Sequence, residues 1–274
     1  MKFAICQELF ENWTWDDQCR AIRDIGYTGI EVAPFTLAAH PRELSQTDRQ
    51  RLRTTAEAHG LQIVGLHWLL AKTTGMHITA DDPAMRRAAA EHLVALTDLC
   101  ADLGGSILVF GSPGQRSLRD GLTPAEGLDR AEKVFRACGP RLAERGVTLC
   151  LEPLTKKETN FLNSCRETAE LIRRIGHPSM ALHQDVKAML GEGGSLPALI
   201  HEYAPLTKHF HVNDSNLLGP GMGETDYRPI LRALQETKYA GWVSVEVFDY
   251  SPGAERIARE SLTYMRRVLD EIAR

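Results

Sequence analysis

Residues 146–153 read Gly-Val-Thr-Leu-Cys-Leu-Glu-Pro, and this short stretch shows the pattern on which the fold prediction depends. A glycine that can take a positive φ ends the preceding helix, and a run of apolar and β-branched residues follows. A carboxylate and then a proline close the run. The pattern predicts a short buried strand that follows a helix and ends at a polar side chain.

Seven more runs of this kind occur along the chain, which gives eight candidate strands together with Val147–Leu151. They are Phe3–Cys6, Gly29–Ala33, Leu61–Leu66, Ser106–Phe110, Met180–Leu182, Lys208–Val212 and Trp242–Val247. Glycines just ahead of six strands are predicted to end the preceding helices with a positive φ: Gly26, Gly60, Gly104, Gly146, Gly176 and Gly241. Pro124 and Pro197 are predicted to mark helix starts, and Ser164 to cap a helix N-terminus.

The segments between the candidate strands have apolar residues at helical spacing. Strands that alternate with helices form parallel βαβ units, and eight such units predict an α/β protein with a closed (β/α)8 TIM barrel. No GxGxxG motif follows the first strand, which argues against a dinucleotide-binding fold. No linker or low-complexity tract divides the chain, so we expect residues 1–274 to form one domain.

Composition narrows the possible functions. The chain has 274 residues, 43% of them hydrophobic, with a formal net charge of -4 that disfavours a general nucleic-acid binder. Its six cysteines are irregularly spaced and form no CxxC pair, which favours thiols in a reducing compartment over a disulfide framework. No apolar run approaches a signal-peptide core or a membrane span. We therefore predict a cytoplasmic protein without nucleic-acid or membrane partners.

Polar donors end four successive predicted strands. Glu152, Asp185, His211 and Glu246 are separated by about one βα unit each. Active sites of TIM barrels lie at the C-terminal ends of the strands, so these side chains can converge. One such glutamate alone is usually solvated or salt-bridged, whereas four compatible donors predict one divalent metal ion. Three oxygen donors and one nitrogen suit a hard or borderline ion such as Mn²⁺, Mg²⁺ or Co²⁺, and the absence of thiolates argues less for Zn²⁺; we expect Mn²⁺.

At these residues the chain resembles the sugar phosphate isomerase/epimerase family of xylose isomerase-like barrels, in particular the ketose 3-epimerases related to D-tagatose 3-epimerase. The segments that carry the resemblance are Leu151–Leu154, Glu158–Asn163, Asp185, His209–His211, Pro220–Gly223 and Val245–Phe248. The resemblance implies a metal held by Glu152, Asp185, His211 and Glu246. It also implies that the two glutamates act as acid and base on opposite faces of the sugar, that Glu158 contacts the sugar, and that the protein forms dimers or tetramers.

Two substrate-contacting positions of these epimerases carry different residues here. Ala188 stands where they have a histidine, and Leu217 follows Asn216 where they have an arginine. The resemblance therefore implies the metal chemistry more strongly than it implies a particular sugar.

A metal that binds a carbonyl oxygen and a neighbouring hydroxyl acidifies the C–H between them, because it stabilises the enediolate charge. Glu152 and Glu246 then remove and return a proton, so the leading hypothesis is an isomerase: a metal-dependent epimerase or isomerase of a monosaccharide or keto-sugar. The alternative is a metal-dependent lyase or dehydratase acting on a keto-sugar, an inosose or a 3-keto-glycoside. A three-zinc endonuclease of the same superfamily and a non-catalytic sugar-binding protein are weaker alternatives.

Six residues near the strand ends are predicted to contact substrate, each with a structural alternative. They are Glu158, His67, Arg116, His183, Lys187 and Phe248. Arg116 is a candidate clamp for a carboxylate or phosphate, or else a solvated loop residue. His183 and His209 point to the same strand faces as Asp185 and His211, where they line the barrel below the metal or fill its core. Glu31, at the end of the second strand, is either an outer support of the metal site or part of a structural ion pair.

Overall fold

The eight apolar runs form eight parallel strands in the computed structural model, which describes residues 1–274. The strands are β1 Lys2–Cys6, β2 Gly29–Val32, β3 Gln62–Leu66, β4 Ile107–Phe110, β5 Thr148–Leu151, β6 Met180–Asp185, β7 Thr207–Val212 and β8 Trp242–Val245. They pair in sequence order, and β1 also pairs with β8 through the register Lys2↔Trp242 to Ile5↔Val245. The predicted closed (β/α)8 barrel is therefore confirmed.

Nine helices surround the barrel. They are α1 Trp15–Ile25, α2 Gln46–Ala58, α3 Pro83–Asp102, α4 Pro124–Arg145, α5 Cys165–Ile175, α6 Val186–Glu192, α7 Leu196–Tyr203, α8 Tyr227–Glu236 and α9 Ala254–Ile272. One helix follows each strand, except that both α6 and α7 follow β6. None of them is long and apolar enough to cross a membrane.

The helix ends follow the predicted signals at most positions. Gly26, Gly146 and Gly176 are left-handed C-caps, and Ser164 accepts a hydrogen bond from the Glu167 amide. The prediction for Gly241 is wrong, because α8 ends earlier and Lys238 takes the positive φ of 55°. A Cβ at residue 241 would lie 2.4 Å from the Tyr239 hydroxyl, so glycine is required there for close packing.

The barrel and its helices share one apolar core of 61 buried residues, which runs from Phe3 to Val268. All six cysteines are buried free thiols, so they pack as small apolar side chains and form no disulfide.

Two register shifts interrupt the strand pairing, and each lies beside a buried polar residue. One lies between Ile30 and Glu31 on β2, and the other between Leu182 and His183 on β6. Bulges of this kind change the direction of the side chains that follow. Both Glu31 and His183 are fully buried and contact other residues inside the barrel.

Candidate active site

A cavity of about 350 Å³ opens at the C-terminal end of the barrel, where the sequence predicts the active site. Glu152, just after β5, and Glu246, just after β8, both line it. Four of the six predicted substrate contacts also line it: His67, Glu158, Lys187 and Phe248. Their roles stay predictions, but the fold places all four around the same cavity as the two glutamates.

Four buried donors lie together, and one of them, Glu152, also lines this cavity. Donor atoms of Glu152, His183, Asp185 and His211 all lie within 4.8 Å of one another. Three of them belong to the predicted metal-binding set, and His183 is an additional donor from the same strand as Asp185. Neither ring nitrogen of His183 has a hydrogen-bond partner, although the side chain is fully buried.

Glu246, the fourth predicted ligand, contacts this group through His211. Its Oε2 atom lies 3.1 Å from His211 Nδ1, and its Oε1 atom accepts a hydrogen bond of 2.8 Å from the indole N–H of Trp68. Burial would raise the pKa of Glu246, but the neighbouring His211 lowers that pKa to about 2.

The carboxylates of Glu152 and Asp185 are buried close to other negative charges, which disfavours their ionised forms. Burial, together with repulsion from Glu246 and Asp185, raises the pKa of Glu152 well above its usual range. Burial also raises the pKa of Asp185, despite the nearby Lys187. A divalent cation among these oxygens would relieve the repulsion, so the donor set fits a metal ion.

A buried carboxylate supports His211 from behind. Glu31 lies 3.1 Å from His211 Nε2 and 2.8 Å from His209 Nε2. Burial would raise the pKa of Glu31, but His209 and His211 hold it well below its usual range. One nitrogen of His211 thus faces the donor group and the other faces a carboxylate, which is the usual arrangement of a metal-binding histidine.

Asp185 is held by a second chain of hydrogen bonds. Its Oδ2 atom accepts a 2.6 Å bond from the Asn213 amide, and its Oδ1 atom accepts a 2.8 Å bond from the Ala188 backbone. The Asn213 backbone N–H donates to the Tyr227 hydroxyl at 3.0 Å. Asn213 is not among the residues predicted for the site, although its position directly after β7 is a usable signal.

Aromatic and cationic side chains form the outer wall. The Lys187 ammonium lies 2.8 Å from Glu158 Oε1 and 3.8 Å from the centre of the Phe248 ring. Trp68 packs between Phe248 and Phe35, with ring centres 6.4 and 6.2 Å apart. An apolar face beside a few charged groups suits a sugar, which has both hydroxyls and apolar C–H faces.

Arg116 and His183 do not line the cavity, and a direct substrate contact does not fit their placement. Arg116 is fully buried, and its guanidinium donates to the carbonyls of Gly111, Glu152 and Leu162. Arg116, predicted as a cationic clamp for substrate, thus holds the loops after β4 and β5 together through these hydrogen bonds. His183 instead lies within the donor group described above.

Gly111 provides space for one of the glutamates. A Cβ at this position would lie 2.4 Å from Glu152 Oε2, so any larger residue would displace the carboxylate.

Comparison with known proteins agrees with this geometry. A sequence profile of the family described as xylose isomerase-like TIM barrel matches residues 19–268, which is most of the chain. The chain belongs to the xylose isomerase-like TIM barrel family. The family predicted from the motifs around Glu152 and His211 is therefore confirmed.

Relatives within this family include two sugar epimerases. The chain is 25% identical over 214 residues to a ketose 3-epimerase of Arthrobacter globiformis, covering 77% of this chain and 72% of the relative. It is 24% identical over 262 residues to a D-psicose 3-epimerase of Agrobacterium fabrum, covering 90% and 85%. A crystal structure of a D-psicose 3-epimerase in the presence of D-fructose superimposes with a TM-score of 0.86 at 22% identity, covering 98% of this chain and 99% of that one.

Proposed function

We propose that this xylose isomerase-like barrel is a metal-dependent isomerase that epimerises or isomerises a monosaccharide or keto-sugar. The observation that carries the proposal is the pair of buried glutamates, Glu152 and Glu246, on the wall of one cavity. They follow β5 and β8, three strands apart around the ring. The names of the relatives, a ketose 3-epimerase and a D-psicose 3-epimerase, agree with this chemistry.

The proposed ligands of the metal are Glu152, Asp185, His211 and Glu246. A divalent ion held there would polarise the substrate carbonyl and stabilise the negative charge that develops on its oxygen. We propose Mn²⁺, because carboxylate oxygens with an imidazole and no thiolate suit a hard or borderline ion. His183, two residues before Asp185 on β6, lies close enough to contribute another nitrogen.

The chain's own residues carry the proton transfers. One of Glu152 and Glu246 removes the proton from the carbon beside the carbonyl, and the other returns a proton to the opposite face, which inverts that carbon. Glu158 and Lys187, paired at 2.8 Å, orient the sugar hydroxyls at the outer wall. Trp68 and Phe248 cover an apolar face of the ring and exclude water from the reacting carbon.

We also propose a cellular compartment and an oligomeric state for the protein. Six buried free thiols without a disulfide support a reducing compartment, and we propose the cytoplasm. The dimer or tetramer implied by the family resemblance belongs to the same proposal. Light scattering of the purified protein with Mn²⁺ measures its oligomeric state directly.

A deuterium-exchange screen tests the proposed reaction. Ketoses, inososes and 3-keto-glycosides are incubated with the protein and Mn²⁺ in D₂O and followed by proton NMR. We expect one deuterium to enter one carbon of the recovered sugar, without elimination. Glu152→Gln and Glu246→Gln should each abolish the exchange, whereas Glu57→Gln on the exposed face of α2 should retain it.

The same screen separates the competing lyase. Elimination would produce a conjugated enone with new ultraviolet absorbance in place of a deuterated sugar. Exchange that persists in both Glu152→Gln and Glu246→Gln would overturn the assigned roles of the two glutamates.

A further inference from the structure

A second cleft, of about 440 Å³, lies beside the catalytic cavity. Lys72 lines both spaces. Glu8, on the wall of the second cleft, lies 2.8 Å from His67 on the wall of the first. The two spaces are therefore neighbours that share the Lys72 side chain as a common boundary.

An exposed tryptophan forms one side of the second cleft. The Trp13 side chain is 40% exposed, one of only five large apolar residues with such exposure. It packs edge-on against Phe10, with ring centres 5.6 Å apart. On the wall of this cleft, the exposed indole offers a flat apolar face on which a ligand ring can stack.

The turn that carries Trp13 is braced from inside. The Gln18 side-chain amide donates to the carbonyls of Phe10 and Trp13 at 3.2 and 3.1 Å. Asn12, between them, takes a positive φ of 65°. The Gln18 side chain is buried at the wall of the cleft, so these hydrogen bonds have little exposure to solvent. The indole is thus held in place before any ligand arrives, which lowers the entropic cost of binding.

The charges in the cleft favour a neutral occupant. Glu8 and Glu11 are carboxylates, and Lys72 is the only cation on the wall. The Lys72 ammonium lies 4.2 Å from the centre of the Phe35 ring. Arginine is the usual partner of a phosphate or carboxylate group, and the wall has no arginine and two carboxylates against its single lysine. Amide and hydroxyl groups with aromatic rings suit instead the hydroxyls and C–H faces of a sugar.

We propose that this cleft binds a second, uncharged sugar ring, so that the substrate is a keto-sugar in glycosidic linkage and not a free monosaccharide. The inference rests on the proposed function, because it places the reacting ring between Glu152 and Glu246. Trp13 stacks on the second ring, and Lys72 lies at the junction between the two rings.

The test compares one-ring and two-ring substrates with the Mn²⁺-loaded protein. The probes are ketone derivatives of a glucosyl-glucose and a galactosyl-glucose disaccharide, each oxidised on the non-reducing ring, and the matched methyl glycosides. We expect kcat/KM for deuterium exchange to be about tenfold higher for a disaccharide, the size of one aromatic stacking contact. Trp13→Ala should bring the ratio between the two substrates close to one. Leu190→Ala, which removes a similarly exposed apolar side chain on α6, should keep the ratio.

The outcomes separate this inference from the function it rests on. Exchange in wild-type protein with a ratio near one, or a ratio that Trp13→Ala does not change, overturns the second-ring site and leaves the epimerase proposal intact. Exchange with none of the probes counts against the reaction, and calorimetric titration of the same probes then decides the site. Tighter binding of a disaccharide that depends on Trp13 supports it, and equal binding of the one-ring and two-ring probes overturns it.

Discussion

The indole N–H of Trp68 donates a 2.8 Å hydrogen bond to Oε1 of Glu246, 178 residues later in the chain. Trp68 adopts a positive φ of 54° to do so, a conformation that costs a bulky residue free energy. The hydrogen bond fixes one carboxylate oxygen of Glu246 while His211 Nδ1 lies beside the other. Trp68 is therefore a positioning residue for the carboxylate.

Trp68→Phe should lower kcat by about tenfold or more, because a hydrogen bond to a charged group contributes about 1.5–3 kcal/mol. Steady-state kinetics on the substrate found in the exchange screen measures the effect. Trp242→Phe, at the start of β8 and at the other end of the barrel, should leave kcat unchanged. A change in KM alone would mean that Trp68 only packs against the sugar.

Metal binding should stabilise the fold through Asp185. Mn²⁺ at about one hundred times its Kd should add about 2.7 kcal/mol to the free energy of unfolding, and a chelator should remove that gain. Asp185→Asn should lose most of the response, measured by urea unfolding with and without Mn²⁺. Asp226→Asn, at the exposed N-terminus of α8, should keep the full response. An equal Mn²⁺ response in both variants would contradict the ligand role of Asp185.

Glu31→Gln should weaken Mn²⁺ binding by about 10- to 100-fold, because it removes the charge that supports His211 from behind. Calorimetric titration of the metal-free protein with Mn²⁺ gives the affinity. Glu57→Gln is the matched control, since Glu57 is exposed and pairs only with Arg53. Unchanged affinity in Glu31→Gln would show that Glu31 belongs to a structural ion pair.

Arg116→Met should destabilise the protein by about 3 kcal/mol or more, because the buried carbonyls of Gly111 and Glu152 lose their donor and the Leu162 carbonyl loses one of two. Urea unfolding of the metal-free variant measures the loss. Arg119→Met, in the same loop and exposed, should change the free energy of unfolding little. If KM rose strongly while the stability stayed constant, the clamp predicted from the sequence would be correct after all.

His92 on α3, a residue outside the proposed metal site, should make the free energy of unfolding depend on pH. Burial and the neighbouring His40 lower the pKa of His92 to about 4, whereas the pKa of a histidine in the unfolded chain is about 6.5. The unfolded chain therefore binds more protons between these values, so stability falls as the pH drops below about 6.5.

His92→Gln should remove that part of the loss, up to about 1.4 kcal/mol per pH unit. Urea unfolding of the metal-free protein between pH 4.5 and 7.5 compares the variant with wild type. His59→Gln serves as a control at the C-terminal end of α2, where the imidazole lies 2.9 Å from Asp16. Identical pH slopes for wild type and His92→Gln would contradict the prediction.

The sequence predicts the barrel and the position of Glu152, Asp185, His211 and Glu246 because strand periodicity places these residues at the ends of four neighbouring strands. Local spacing of residues along the chain is enough to predict the strands and the residues at their ends. It also places Glu158 and Lys187 a few residues beyond the ends of β5 and β6, where both line the cavity.

The sequence does not predict the direction of side chains that leave the strands. Arg116 turns inward because the carbonyls of Gly111 and Leu162 happen to converge, which depends on how two loops fold. The bond between Trp68 and Glu246 joins residues far apart in the chain, and local periodicity carries no information about it. The second cleft depends likewise on the turn at Trp13, whose conformation Gln18 fixes from another element.

The register shifts beside Glu31 and His183 restrict how this chain can change in evolution. Insertion or deletion of one residue within β2 or β6 would rotate these side chains out of the barrel and into the helix layer, since neighbouring strand residues point to opposite sides. Length variation among homologues should therefore be confined to the connecting segments, where new specificities can arise. The strands themselves should keep a constant length even where their residues diverge.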